Sequence, residues 1–148
     1  MTFDPNFRGD VRALQRRIQG MLQRGTVKSV DDAMMLQTLD VEMHHGFAPT
    51  KVEHWQPYGF HFHPQAGSEV LVGALGGNQD HLMVLGTTNR QQRPKNLAPG
   101  DVQIYREGGA TMTMKAGGEI EIKTGSSKIV MKPGGIEFHA SKIDHIQA

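Results

Sequence analysis

Between Thr111 and Ser141 the chain repeats one short pattern four times: Thr111-Met112-Thr113-Met114-Lys115, Glu119-Ile120-Glu121-Ile122-Lys123, Lys128-Ile129-Val130-Met131-Lys132 and Gly135-Ile136-Glu137-Phe138-His139. Each copy sets two apolar residues at i and i+2, follows them with Lys or His, and then turns through Ala116-Gly117-Gly118, Thr124-Gly125-Ser126-Ser127, Pro133-Gly134-Gly135 or Ala140-Ser141. A period of two belongs to extended strands, whose successive side chains point to opposite faces. Met112, Met114, Ile120, Ile122, Ile129, Met131, Ile136 and Phe138 are therefore expected on one face, with most of the Thr, Glu and Lys on the other. Repetition this short restricts the segment to stacked short strands.

One chain of this design has a single narrow apolar stripe and nothing of its own to cover it. Burying that stripe falls short of the entropy lost in ordering the backbone that carries it, and a lone chain is expected to leave long unpaired strand edges. Three chains wound about one axis remove both difficulties, by pairing strands between subunits and turning three stripes inward. The expectation is an intertwined triple-stranded β-helix in a homotrimer, with the eight apolar residues as its core. The competing arrangement, a meander packed on the rest of the chain, needs a covering face that the preceding barrel uses internally. On the outward face Glu119 and Glu121 are placed to form cross-strand ion pairs with Lys115, Lys123, Lys128 or Lys132.

Upstream the pattern differs. Val11, Leu14, Ile18, Met21 and Leu22 fall at helical spacing, with Asp10 placed as an N-cap and Gly25 just past the end. This predicts an amphipathic packing or docking arm with Arg12, Arg16 and Arg17 on its solvated face. From Gly25 to about Gly86 the chain turns to β-rich runs at 26–30, 34–43, 52–62, 69–75 and 81–85. Val70 to Leu75 is nearly continuous in apolar character, as in a strand buried on both sides, and Gly76-Gly77-Asn78-Gln79 supplies a turn. Five short strands in this space suit a closed barrel of the oligonucleotide/oligosaccharide-binding (OB) type. Pro94 and Pro99-Gly100 make the following polar stretch a connector. The expected fold class is all-β, divided into a helical arm (1–24), an OB-like barrel (25–88), a neck (89–109) and a trimeric shaft with its tip (110–148).

Charge and chemistry exclude several functions. Sixteen basic against fifteen acidic residues produce no long-range field toward nucleic acid or acidic lipid. The absence of cysteine removes disulfides, thiolate metal sites and a cysteine nucleophile. No apolar run approaches the ~20 residues that span a bilayer, and Met1-Thr2-Phe3-Asp4-Pro5 lacks a signal-peptide layout, so cytoplasmic synthesis is expected. Asp31-Asp32 reads as a turn, no Gly-X-Ser-X-Gly elbow is present, and the glycines at 73–77 lack the Lys-Ser/Thr of a phosphate loop. No enzyme is expected. His61-Phe62-His63 would share a strand face and approach one metal only if a third ligand converged; polar barrel surface is the plainer reading. His44-His45 reads as loop. Trp55, Tyr58, Phe60 and Phe62 are the aromatics that a nucleic-acid-binding barrel would use for stacking, yet Lys51 is the only nearby base besides His, and no nucleic acid is expected as partner. A trimeric carbohydrate-binding tail-fibre protein is a further alternative, against which stands a shaft with a single aromatic, Phe138.

The segments Val52-Glu53-His54-Trp55-Gln56-Pro57-Tyr58-Gly59-Phe60, Gly67-Ser68-Glu69-Val70, Gly76-Gly77-Asn78-Gln79-Asp80-His81 and Leu97-Ala98-Pro99-Gly100-Asp101-Val102, in this order ahead of a terminal β-repeat, resemble the Mu-like phage central spike proteins, the baseplate assembly protein V family. The resemblance implies a homotrimer in the virion tail baseplate, assembled in the host cytoplasm. Its barrels would seat on a baseplate hub protein, and its shaft would be driven through the host outer membrane on sheath contraction. Members of that family end in a His-X-His that holds an apical iron; here residues 139–148 lack it. A tip-capping protein, or closure on Ile143 and Ile146, is expected instead. His139 and His145 remain metal candidates, because one His per chain beside a threefold axis supplies three nitrogens.

Overall fold

The computed structural model describes residues 7–44 and 46–143. They form one helix, α1 (Phe7–Gln19), and ten strands: β1 (Leu22–Asp31), β2 (Thr38–Met43), β3 (Val52–His54), β4 (Glu69–Ala74), β5 (Leu82–Thr88), β6 (Val102–Tyr105), β7 (Thr111–Met114), β8 (Ile120–Thr124), β9 (Ser127–Lys132) and β10 (Gly135–His139). The chain divides into two compact units, the first ending at Gln91 and the second beginning at Gln92.

In the first unit β1 to β5 close into a barrel of order β1-β2-β3-β5-β4, antiparallel throughout except for the parallel β3–β5 pair. Closure depends on β1, whose first half pairs with β4 and whose second half pairs with β2. Gly25 sits where it changes partner. A Cβ there would meet Val41 Cγ1 at 2.6 Å and the Glu42 carbonyl oxygen at 2.9 Å, so the close approach requires glycine. This corrects the expectation that Gly25 ends the helix: α1 stops at Gln19, and Leu22 already belongs to β1. Asp10 lies inside the first turn of a helix that starts at Phe7 and so is not its N-cap.

Inward side chains of all five strands fill the barrel with Val27, Leu39, Val41, Met43, Val52, Val70, Val72 and Val84, and Val30 and Leu82 pack against them. The wall is one residue thick, so a barrel strand has only one buried face. Leu71, expected to be buried, is accordingly 43 % exposed. Two runs expected as long strands are short. β2 begins at Thr38 because 32–37 is a loop, opened by an Asx turn in which the Ala33 N–H donates to Asp31 Oδ1 (3.0 Å). β3 ends at His54 because Pro57 and Gly59 (φ +85°) make a turn, closed by the Phe60 N–H donating to the Pro57 carbonyl (3.0 Å).

The second unit is an antiparallel meander of order β10-β9-β8-β7-β6. β6 falls in what the sequence suggested was an irregular neck; its alternation Val102-Gln103-Ile104-Tyr105 pairs with β7. Gly125-Ser126 and Pro133-Gly134 are two-residue turns with Gly125 at φ +56° and Gly134 at φ +101°. With the longer connections at 106–110 and 115–119, these turns pair β7, β8 and β9 on both sides within one chain. The expectation that a lone chain leaves long unpaired strand edges is thereby corrected for the inner strands: only β6 and β10 are edge strands of this sheet.

Candidate functional site

Register decides what the meander presents. Directly opposed residues in an antiparallel sheet share a face, and the pairings Ile104–Met112–Ile122–Ile129–Phe138 form one continuous row. Val102–Met114–Ile120–Met131–Ile136 form a second row two residues away along each strand. All eight residues singled out from the repeat stand on this face, joined by Val102 and Ile104. Those two were missed because β6 follows Pro99-Gly100 and lacks the Lys that closes most of the other repeats; the alternation itself was the available signal. The face is open: Val102, Ile104, Met112, Met114, Ile122, Ile136 and Phe138 are all exposed, Ile136 to 59 % and Phe138 to 60 %.

The reverse face is mostly polar, and Gln103 Oε1 is buried there without a hydrogen-bond partner. Thr113 and Val130 are buried there beneath longer neighbours, and Gln103 Nε2 donates to Thr113 Oγ1 (2.7 Å). Ion pairs join Lys115 to Glu119, Lys128 to Glu121 (3.8 Å) and Lys132 to Glu137 (2.7 Å). The first two match the expected cross-strand pairing, whereas Lys132 pairs with Glu137 on β10. Hydrogen bonds from Lys132 and His139 hold the Glu137 carboxyl below its ordinary pKa, and that from Lys115 does the same for Glu119.

His139 alternates with Phe138 and so stands on this polar face, with Nε2 3.3 Å from Glu137 Oε2. His145, the other metal candidate, and Ile146 lie outside the described residues. Among the described residues no group of three His, Asp or Glu side chains converges as a metal site.

The barrel unit carries a second exposed cluster. Trp55, Tyr58, Phe60 and Phe62 project from the loop after β3, and Met34, Met35 and Leu36 from the loop before β2; Tyr58 and Met35 are fully exposed. A buried polar network fixes the two loops together. Gln37 Nε2 donates to Asp32 Oδ1 (2.9 Å) and to the Phe62 carbonyl (3.2 Å), which turns Gln37 Oε1 toward His54. With that acceptor 2.6 Å away, His54 Nδ1 carries the proton and donates it. Gln56 clamps the loop by donating to the Phe62 carbonyl (2.8 Å) and accepting from the Phe62 N–H (3.0 Å). The Phe62 ring meets the imidazole of His54 edge-on at 5.3 Å. Burial, reinforced by nearby His61, lowers the pKa of His54, and the hydrogen bond from Gln37 lowers that of Asp32.

The sequence reading missed this network because Gln37 lies 17 residues before His54 and the three residues carry no motif. It also placed His61 and His63 on one strand. They lie instead on the irregular loop, where Nε2 of His61 is 3.2 Å from Asp32 Oδ2.

Comparison with known proteins finds similarity to phage proteins. Residues 24–91, which hold all of the barrel but the first two residues of β1, match the family model described as the N-terminal part of bacteriophage Mu Gp45. The baseplate puncturing device gp45 of Escherichia phage Mu is 34 % identical over 96 residues, covering 65 % of this chain and 49 % of that protein. The Mu-like prophage FluMu protein gp45 of Haemophilus influenzae is 30 % identical over 109 residues, covering 74 % of this chain and 59 % of that protein. The matches thus span between about half and three-fifths of these relatives' length. Through the barrel match and these two relatives, the chain is similar to the gp45 proteins of Mu-like phages, one of which is a baseplate puncturing device.

Proposed function

We propose that this protein is the central spike of a contractile phage tail, a homotrimer that plugs the baseplate hub and pierces the host outer membrane when the sheath contracts. The observation that carries the proposal is the open apolar face of the meander. Ten aligned side chains form a patch of a kind that soluble monomers rarely expose. Three copies turning these faces to a common axis bury them together as a triple-stranded β-helix and leave the ion-paired faces outward. The core is then Met112, Met114, Ile120, Ile122, Ile129, Met131, Ile136 and Phe138, extended by Val102 and Ile104. The name of the Mu relative, a puncturing device, supports the mechanical role.

In this reading residues 1–24 are an arm, 25–88 an OB-like barrel seated on the hub, 89–109 a neck and 110–148 the shaft and tip. The work is done by stiffness, and no catalysis is assigned. A tip without the apical iron of the family pattern is supported by His139, which faces the polar side beside Glu137. A capping protein or apolar closure is assigned to the tip.

The deciding experiment is the absolute mass of the purified protein by light scattering during gel filtration, across a dilution series. A mass of three chains independent of concentration is expected. The mass of one chain at all concentrations overturns the trimeric shaft.

A further inference from the structure

Helix α1 is short of partners. Every side chain from Arg8 to Gln19 is exposed, although Val11, Leu14 and Ile18 form an apolar stripe. Isolated helices shorter than ~12–15 residues are marginal in water, and α1 has 13. Its C-terminal end is pinned to the barrel. Gly77, at φ +72°, lets the backbone of Arg17 come so near that a Cβ would meet it at 3.0 Å. Gln79 Nε2 donates to the Gly20 carbonyl (3.1 Å), and Gln79 Oε1 accepts from Gln23 Nε2 (2.8 Å).

Two grooves flank this pinned end. One, of about 520 Å³, is apolar and lined chiefly by Ile18, Met21, Leu22, Leu75, Met83 and Leu85. The other, of about 680 Å³, is bounded by Arg16, Arg17, Arg24 and His44, with no carboxylate in its lining. Leu22 belongs to both. None of the three arginines forms an ion pair among the described residues.

We propose that this double groove seats an acidic amphipathic segment of another baseplate protein, with its carboxylates on Arg16, Arg17 and Arg24 and its apolar side chains on Leu22, Met83 and Leu85. Charge selects the occupant. A second copy would bring its own α1, with Arg8, Arg12, Arg16 and Arg17 against the single acid Asp10, toward a groove that is already basic. Nucleic acid is disfavoured by the small number of cations and by a lining without Trp, Tyr or Phe. The proposal rests on the baseplate assignment and not on the trimeric shaft.

The test incorporates a benzophenone amino acid at Leu22, an exposed position that tolerates bulk, in the full chain during tail assembly. Illumination is expected to join it to another baseplate protein, within a peptide that mass spectrometry shows to interleave Asp or Glu with apolar residues. Arg16→Glu with Arg17→Glu is expected to lower the yield by roughly tenfold or more, as for a charge pair broken across an interface. Both positions are exposed, so circular dichroism and the light-scattering mass should not change. A cross-link to a second copy, to DNA or to lipid, a captured peptide without carboxylates, a yield indifferent to charge reversal, or no cross-link at all overturns the proposal. A failed trimer would show in the mass alone, leaving the cross-link as an independent readout of the groove.

Discussion

In the barrel, alternate residues of five strands converge on a closed interior, and Val27, Leu39, Val41, Val72 and Val84 lose nearly all contact with solvent. In the meander the same alternation on five strands sends ten apolar side chains to a face without cover, and Val130, on the opposite face, is its one fully buried aliphatic among the described residues. Both units are built of short strands, three to ten residues long in the barrel and four to six in the meander. They differ in closure: a sheet that curls back on itself supplies its own second layer, whereas an open sheet must find one elsewhere. The barrel therefore has the makings of an independent domain, and the meander those of a subunit surface.

The sharpest way to break this contrast is to charge the open face. Ile129→Asp would place a carboxylate from each chain at the centre of the proposed shaft, an unpaired burial that association cannot tolerate. The light-scattering mass is expected to fall from three chains to one while the near-ultraviolet signal of the barrel persists. A variant that remains a trimer would remove Ile129 from the core.

The complementary change is Leu39→Ala, which empties the closed interior. It is expected to cost about 2–5 kcal/mol of barrel stability, read by denaturant unfolding followed at Trp55. Loss of the shaft without loss of barrel stability on this substitution would contradict the independence of the units.

Next in size is a pH effect confined to the barrel. The His54 pKa is depressed from its ordinary 6.5 by burial, so the folded barrel holds the neutral ring and the unfolded chain binds the proton more readily. Stability is then fully present above pH 6.5 and is lost progressively as pH falls from 6.5 through the depressed value. Denaturation midpoints measured between neutral and mildly acidic pH should show this slope, and His54→Gln should flatten it. The smallest effect is expected from Glu121→Gln, which breaks only the 3.8 Å pair with Lys128 on the outward face. The thermal midpoint and the mass should both stay at their wild-type values; a dissociated trimer would place Glu121 at the interface and invert the faces.

Much of this was legible in the residues. Period-two alternation between tight glycine turns determined that 111–139 is a run of strands, and which side chains share a face, because a strand has only two faces. The apolar run from Val70 to Leu75 likewise marked Val70 and Val72 as buried. Local patterns failed where a distant partner decides the outcome. Gly25 looked like a helix end until β1 was seen to pass between β4 and β2 across it. Leu71 looked buried until the barrel wall proved to have one inner face, and β6 looked like linker until β7 paired with it. The Gln37–His54–Gln56 network exists only because the pairing of β2 with β3 brings two separated segments together. The sequence by itself thus determined periodicity, turns and the sidedness of each strand, since these follow from dihedral preferences and side-chain spacing along a single stretch of chain. Only the tertiary structure decided which strands close on one another and which face is left without cover, because that depends on pairings between residues the chain keeps far apart.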